Sequence, residues 1–447
     1  MRKTNVKISK TTAELIVLFG ITFILYGLKL DLPAGIVFCI GLIVLLWKSW
    51  NKPELLAISL IILETRAFGA GPDKIFGILP EKIEIVVLVA AWTFWGLKGF
   101  CNRKKIPSEY TWLLYTLVII IDAAIMGYIT VGQPILFGIL LQTRLLIIFS
   151  VFPIVALMKG DLISFERLWT WIKTLAVLQA FINIIQFFLY PNICFLTITN
   201  ENIRFGSIRI TYGYMLITIA FLMAFSDCLK KLNAKNCLCC LIYLIDLLFV
   251  CKTRMVIFGI AVSALFALLS KLKYKSGWKK IVALSLIGGT LLAVMSGRIT
   301  DLIDLTRQEV STNSGNYVAR TDEVAFYTSQ VSNPLFGRGY ISPKTAGGEL
   351  FDTKYGYFSL TDIGIFGLYT TNGILGVFWF FSILLILIKK SYRSPYRTFG
   401  IEYVVYSTSV CLTLLPFYYS SEYLIIVLIL LADGFKKKRL QNKESII

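Results

Sequence analysis

The chain has 447 residues, 57% of them hydrophobic and 16% charged, with a mean hydropathy of +0.74. A soluble domain carries roughly 25% charge, and apolar runs long enough to cross a bilayer recur here from end to end, which excludes a soluble globular class. The formal charge of +19 does not point to nucleic acid, because the lysines and arginines gather in short turns between alternate apolar runs, the positive-inside pattern.

Arg2, Lys3, Lys7 and Lys10 place the N-terminus in the cytoplasm. The first apolar run ends at Leu28-Lys29-Leu30-Asp31, with no small-residue cleavage site, and reads as a retained span. Spans follow near 12–29, 34–47, 53–68, 83–98, 110–130, 134–158, 168–190, 210–228, 237–251, 255–270, 280–296, 372–388, 400–418 and 421–434. The turns at 48–52, 98–105, 159–167, 230–235, 271–280, 389–397 and 436–439 are all basic, and the alternate turns are neutral or mixed. The expected fold is therefore all-α: a polytopic helical membrane protein of about 12–14 spans with both termini in the cytoplasm. Residues 1–296 form a first transmembrane bundle, 297–371 an outside loop, and 372–447 the last spans with a basic tail.

The loop is the one long interval without a membrane-length apolar run. It holds Arg298, Arg307, Arg320 and Arg338 together with eight carboxylates, and it is rich in aromatic residues. A loop of this length in a compact fold is functional or disordered, and its apolar content predicts a partly helical cap. Residues 299–310 suit a helix on the membrane surface. A second helix is predicted over 317–332, with Arg320 and Glu323 neighbours at i,i+3, stopped by Asn333-Pro334. Gly337 and Gly339 then allow a tight turn around Arg338.

Histidine is absent. That excludes a Ser/His/Asp triad and histidine–metal chemistry, and Cys237-Leu238-Cys239-Cys240 lacks a second pair at zinc spacing. No phosphate-cradling glycine motif is present, and neither a metal nor a cofactor is expected. Catalysis would rest on arginine and carboxylate. Arg204 and Arg209 precede one span, Arg254 closes a tight hairpin between two others, and Arg320 and Arg338 lie in the loop. Brought to one level they would make a cationic pocket, since a guanidinium fork matches phosphate oxygens and keeps its charge. The plainer alternative is that each pairs with a nearby acid or snorkels at the interface. Arg144 lies mid-span, with Asp122 and Asp246 as candidate partners. Asp362, at the mouth of the helix that follows the loop, is either a base or an N-terminal helix acid. Glu323 and Asp322 are the other base candidates.

The stretch Asn333-Pro334-Leu335-Phe336-Gly337-Arg338-Gly339-Tyr340 is very like an "NPLFGxG" turn. Asp362-Ile363-Gly364 with Asn372-Gly373-Ile374-Leu375-Gly376 is similar to a downstream "GxxG" helix start. With many spans, one large outside loop and an arginine-bearing helix, this order resembles the O-antigen polymerase and O-antigen ligase superfamily, the Wzy-type polysaccharide polymerases and their ligase relatives. The resemblance covers about residues 195–390 by motif. It implies a metal-independent, inverting glycosyltransferase in a bacterial inner or plasma membrane, acting on a polyprenyl-diphosphate-linked oligosaccharide for capsule, exopolysaccharide or O-antigen. The partners it implies are that substrate, membrane lipid, a chain-length regulator and a flippase, and no nucleic acid. Carried over position by position, Arg204, Arg254 and Arg320 would bind diphosphate; from the residues themselves Arg209 and Arg338 are further diphosphate candidates, and Arg320, Asp362 and Glu323 are the candidates for catalysis. The ligase branch carries a histidine after the turn, where this chain reads Tyr357-Phe358-Ser359-Leu360-Thr361-Asp362, which favours polymerase over ligase. The arginine-to-glycine spacing of some polymerases is not met from Arg204 or Arg320. A lipid-linked oligosaccharide flippase is the alternative from the transport class.

Overall fold

The computed structural model describes residues 31–65, 112–159, 162–196, 207–271, 315–342 and 362–414 apart from 393–395, with shorter stretches elsewhere, including 85–90 and 203–204. The expected spans near 280–296 and 421–434 and the surface helix over 299–310 lie outside the described residues, apart from single positions in the last.

The described chain is mostly helical. Its helices are α1 (Asp31–Ser49), α2 (Glu54–Glu64), α3 (Tyr115–Val131), α4 (Ile135–Leu141), α5 (Val151–Lys159), α6 (Phe165–Leu189), α7 (Tyr214–Lys230), α8 (Ala234–Ile245), α9 (Arg254–Lys271), α10 (Gly315–Ser329), α11 (Ile365–Tyr392) and α12 (Arg397–Val410). One antiparallel hairpin, β1 (Ile203–Arg204) with β2 (Ser207–Ile208), pairs Ile203 with Ile208 and Arg204 with Ser207.

Among the described residues five segments are long and apolar enough to cross a membrane: Asp31–Ser49, Trp112–Val131, Glu166–Leu189, Ala234–Cys251 and Ile365–Tyr392. Their outer faces are as apolar as their inner ones. On α1, Ala34, Phe38, Gly41 and Leu45 are buried at helical spacing, while Ile36, Ile40, Ile43 and Trp47 on the opposite side are exposed. On α3, Ile119, Ile120, Ala123 and Met126 face inward and Leu117, Val118, Ile121 and Ile125 outward. A surface helix in water would be polar there; helices apolar all round belong in lipid. At the centre stands α7, buried along its length except at Tyr214, Asp227 and Lys230. Around it pack α6, α8, α9 and α12.

The turns sort to two ends. At one end Arg167 Nη1 meets Glu54 Oε1 at 3.3 Å, and Lys173 Nζ meets Asp227 Oδ2 at 3.0 Å. Lys230 sits 4.0 Å from the Tyr396 ring centroid, and Trp169 packs on Tyr396. These contacts bring the basic turns α1–α2, α5–α6, α7–α8 and α11–α12 together. The alternate turns meet at the other end: Gly213 N donates to Thr65 O (3.1 Å), Ile210 N to Val250 O (3.1 Å) and Ile365 N to Cys411 O (2.7 Å).

Several boundaries differ from the sequence expectation. The run near 134–158 is segmented: α4 stops at Gln142, whose Nε2 donates to Ile120 O and Gly138 O, both at 3.1 Å, before a helical turn (Thr143–Leu146), a 3-10 turn (Ile147–Ser150) and α5. The span expected near 372–388 begins at Ile365 and runs to Tyr392. It is interrupted at Gly373, whose φ of 59° and ψ of −153° belong to a region essentially restricted to glycine.

Candidate functional site

The break in α11 organises the half of the molecule away from the basic turns. In an unbroken helix Ile374 N–H and Leu375 N–H would bond to Thr370 O and Thr371 O, four residues back. Here the NPLFGRGY turn inserts between them. Ile374 N donates to Pro334 O (2.9 Å) and Leu375 N to Leu335 O (3.2 Å), while Thr370 O accepts from Arg338 N (2.8 Å) and Thr371 O from Gly339 N (3.0 Å). Four backbone groups that would each cost several kcal/mol unpaired in lipid are thereby satisfied by another segment. Side chains shape the turn: Asn333 Oδ1 accepts from Leu335 N (2.9 Å) and Phe336 N (3.3 Å). Close approach explains its glycines, since a Cβ on Gly337 would lie 2.6 Å from Thr371 O.

The far side of the turn lies on α3. Tyr340 N donates to Ala123 O (3.1 Å), Thr130 Oγ1 to Arg338 O (2.9 Å), and Gln133 both donates to Tyr340 O (2.8 Å) and accepts from Ser342 N (2.9 Å). Asn372, at the break, donates through Nδ2 to Ile119 O (2.8 Å) and to Asp122 Oδ2 (3.0 Å). Trp379 Nε1 donates to Thr116 Oγ1 (3.1 Å) below it. Asp122, a candidate partner for Arg144, thus holds Asn372. The Arg144 side chain lies outside the described residues.

Arg338, expected as a diphosphate ligand, is 2% exposed. Its Nη1 donates to Gln330 Oε1, and its guanidinium lies 5.2 Å from the Tyr327 ring centroid. Glu323, expected as a catalytic carboxylate, is 3% exposed on α10. Arg320 is half-buried one turn earlier. The helix expected over 317–332 spans Gly315–Ser329 and packs on α11.

A second group of cations gathers at the end where α8 meets α9. After α8 the chain makes a π-helical turn (Asp246–Cys251), and Lys252 takes a left-handed φ of 51°. Arg209 crosses this connection, with Nε donating to Cys251 O (3.1 Å) and Nη2 to Thr253 Oγ1 (3.0 Å). Arg254 opens α9. Lys252 Nζ donates to Ile208 O (3.3 Å) and lies 4.9 Å from the Phe187 ring centroid. A separate apolar cluster of Leu196, Ile208, Ile210 and Val250 seats the hairpin on this connection. Arg204 lies in that hairpin; its backbone pairs with Ser207, and its side chain is outside the described residues. Asp362 is exposed at the turn before α11. The structure therefore brings together the backbone carrying Arg204 with Arg209, Lys252 and Arg254, while Asp362 stands at the turn before α11 and Arg320, Glu323 and Arg338 belong to the neighbourhood of α10 and its turn.

Beneath the cations runs a polar stripe that the sequence expectation did not single out. Gln179, Asn183 and Gln186 on α6 are fully buried. Gln179 Nε2 donates to Asn183 Oδ1 (2.7 Å) and Asn183 Nδ2 to Tyr212 O (3.0 Å). Gln186 Nε2 donates to Ile193 O (2.9 Å), and its Oε1 accepts from Phe195 N (2.8 Å) and Leu196 N (2.9 Å). The stripe fixes the two irregular segments on which the hairpin rests. Its 3–4 residue spacing along one face was the available signal.

Among the described residues no cluster of three His, Cys, Asp or Glu is arranged to hold a metal ion. What the cationic group can do chemically is bind an anion. The first-turn N–H groups and dipole of α9 favour negative charge, and Arg209, Lys252 and Arg254 stand at that terminus. No protein-family model matches the chain, and no characterised protein matches it in sequence.

Proposed function

We propose that the protein is a membrane glycosyltransferase that lengthens a polysaccharide. It moves a growing glycan from its polyprenyl diphosphate onto a sugar hydroxyl of another lipid-linked repeat unit. The observation that carries this reading is the gathering of Arg209, Lys252 and Arg254 at the α8–α9 connection, at the end of the bundle away from the basic turns. The similarity of residues 333–340 and 362–376 to polymerase motifs supports it. In this reading the basic end faces the cytoplasm, and about fourteen spans carry an outside cap built from the 297–371 loop.

The division of labour follows from placement for Arg209 and Arg254 and from the motif resemblance for Arg204 and Arg320. Arg254, Arg209 and Arg204 hold the diphosphate while its polyprenyl tail stays in lipid. Arg320, on α10, is assigned to the same headgroup by the motif resemblance. The acceptor hydroxyl attacks the anomeric carbon as the bond to diphosphate breaks, with inversion, and its proton passes to a carboxylate, for which Asp362 is the open candidate. Fixed cations stabilise the charge developing on the leaving oxygen without reorganising, an effect worth about 2.7–4 kcal/mol per donor at comparable sites. Replacing Arg254 by alanine is therefore expected to slow chain growth about 100-fold, with Arg254→Lys recovering part of the loss. Incorporation of labelled repeat units into polymer by purified protein measures this. Wild-type rates in Arg254→Ala protein that unfolds like wild type would remove the site.

The broken helix favours one rival, because discontinuous membrane helices line the substrate sites of transporters. A lipid-linked oligosaccharide flippase would move single repeat units between leaflets and make no polymer, which the same vesicles can report.

A further inference from the structure

We propose that Arg338 is a positioning residue, which fixes the α10 face bearing Arg320 and Glu323 against the break in α11. The proposal rests on the reading that this face serves the transfer reaction. Three observations carry it. First, Arg338 joins three elements. Its Nη1 donates to Gln330 Oε1 just past the end of α10, its N–H donates to Thr370 O at the break, and its carbonyl accepts from Thr130 Oγ1 on α3. Second, Arg320, Glu323, Tyr327 and Gln330 recur at spacings of three and four, so a helical course puts them on one stripe. The stripe is anchored at its far end by Arg338, through Gln330 and the Tyr327 ring. Third, Arg338 is 2% exposed, so its guanidinium is covered by protein where a diphosphate ligand would need an open fork. A guanidinium suits the task because it keeps its charge, stacks flat on an aromatic ring and aims its donors in a fixed plane.

Acting through Gln330 and Tyr327, Arg338 sets where the Arg320 guanidinium stands relative to the membrane. Loss of the clasp leaves the backbone pairs at Gly373 in place and lets α10 shift. Because the charge that Arg320 meets on the leaving oxygen grows in the transition state, the consequence falls on the rate more than on substrate affinity.

The test compares wild type with Arg338→Ala, Arg338→Lys, Gln330→Ala and the double variant Arg338→Ala/Gln330→Ala, all full-length in detergent or liposomes. The first readout, hydrogen–deuterium exchange, needs no activity. Faster exchange over 315–329 in both single alanine variants is expected, with 376–392 unchanged. The second readout is steady-state glycan transfer from a polyprenyl-diphosphate-linked repeat unit. Both single variants are expected to lose at least tenfold in kcat with KM within twofold, and the double variant to be no worse than either, as for residues acting through one contact. A raised KM in Arg338→Ala with wild-type behaviour in Gln330→Ala would overturn the proposal and make Arg338 a substrate contact. Unchanged exchange over 315–329 in Gln330→Ala would also overturn it, even if Arg338→Ala fails to fold. If wild type transfers no glycan, the polymerase reading fails, and the exchange arm still decides whether Arg338 holds α10.

Discussion

Replacing Gly373 by alanine tests the docking of the NPLFGRGY turn most sharply. The residue sits at φ 59°, ψ −153°, a conformation costing about 1–3 kcal/mol for a residue with a side chain. A Cβ there would also run into the Leu335 carbonyl. Making room displaces the turn from Ile374 N and Leu375 N, two hydrogen bonds worth about 1 kcal/mol each. The sum is about 3–5 kcal/mol. Gly132→Ala is the control. Gly132 also has a positive φ, 70°, but nothing lies within 4 Å of its Cβ position, so only the left-handed strain of about 1–2 kcal/mol is expected. Unfolding in mixed micelles, followed by tryptophan fluorescence, gives both values. Gly373→Ala within about 0.5 kcal/mol of Gly132→Ala would refute the docked turn.

Other consequences are smaller or positional. Asn333→Ala removes the acceptor for two turn amides and is expected to cost about 1–2 kcal/mol by the same unfolding measurement. Asp227→Asn weakens its pair with Lys173, whose side chains are 22% and 19% exposed, and is expected to cost about 1 kcal/mol. Arg167→Ala breaks a pair whose arginine is 70% exposed and is expected to change stability by less than about 0.5 kcal/mol. In a cysteine-free background, Ile203→Cys is expected to react with an impermeant maleimide in intact cells and Lys231→Cys only after permeabilisation. The reverse pattern would invert the assigned sides.

The five membrane-length segments of the described chain were legible as apolar runs, because lipid demands long apolar segments whatever their partners. The positions of α3, α6 and α9 follow from the chain to within a few residues. The start of α11 did not. Residues 365–371 carry three glycines' worth of ambiguity with Gly364, Gly367 and Gly373 nearby, and the interruption at 373 is stabilised by a turn almost forty residues earlier. Local periodicity carries no information about that pairing. Arg338 shows the same limit. Beside two glycines in a polar loop it reads as an open cation, and only the fold supplies Gln330 and Tyr327 to cover it. Asp122 likewise answers to Asn372, 250 residues away. Arg209 was legible as a cation at the right end of its span, and its role in bracing the α8–α9 connection came from the three-dimensional contacts.

The most direct test of the central claim is chain length. Purified wild-type protein in liposomes, supplied with polyprenyl-diphosphate-linked repeat units and no other protein, would be sampled over time and its glycans resolved by gel. A ladder rising by one repeat unit per rung, with the polymer still attached to polyprenyl diphosphate, is the predicted result. Repeat units that remain single, or that only change leaflet, would contradict the account.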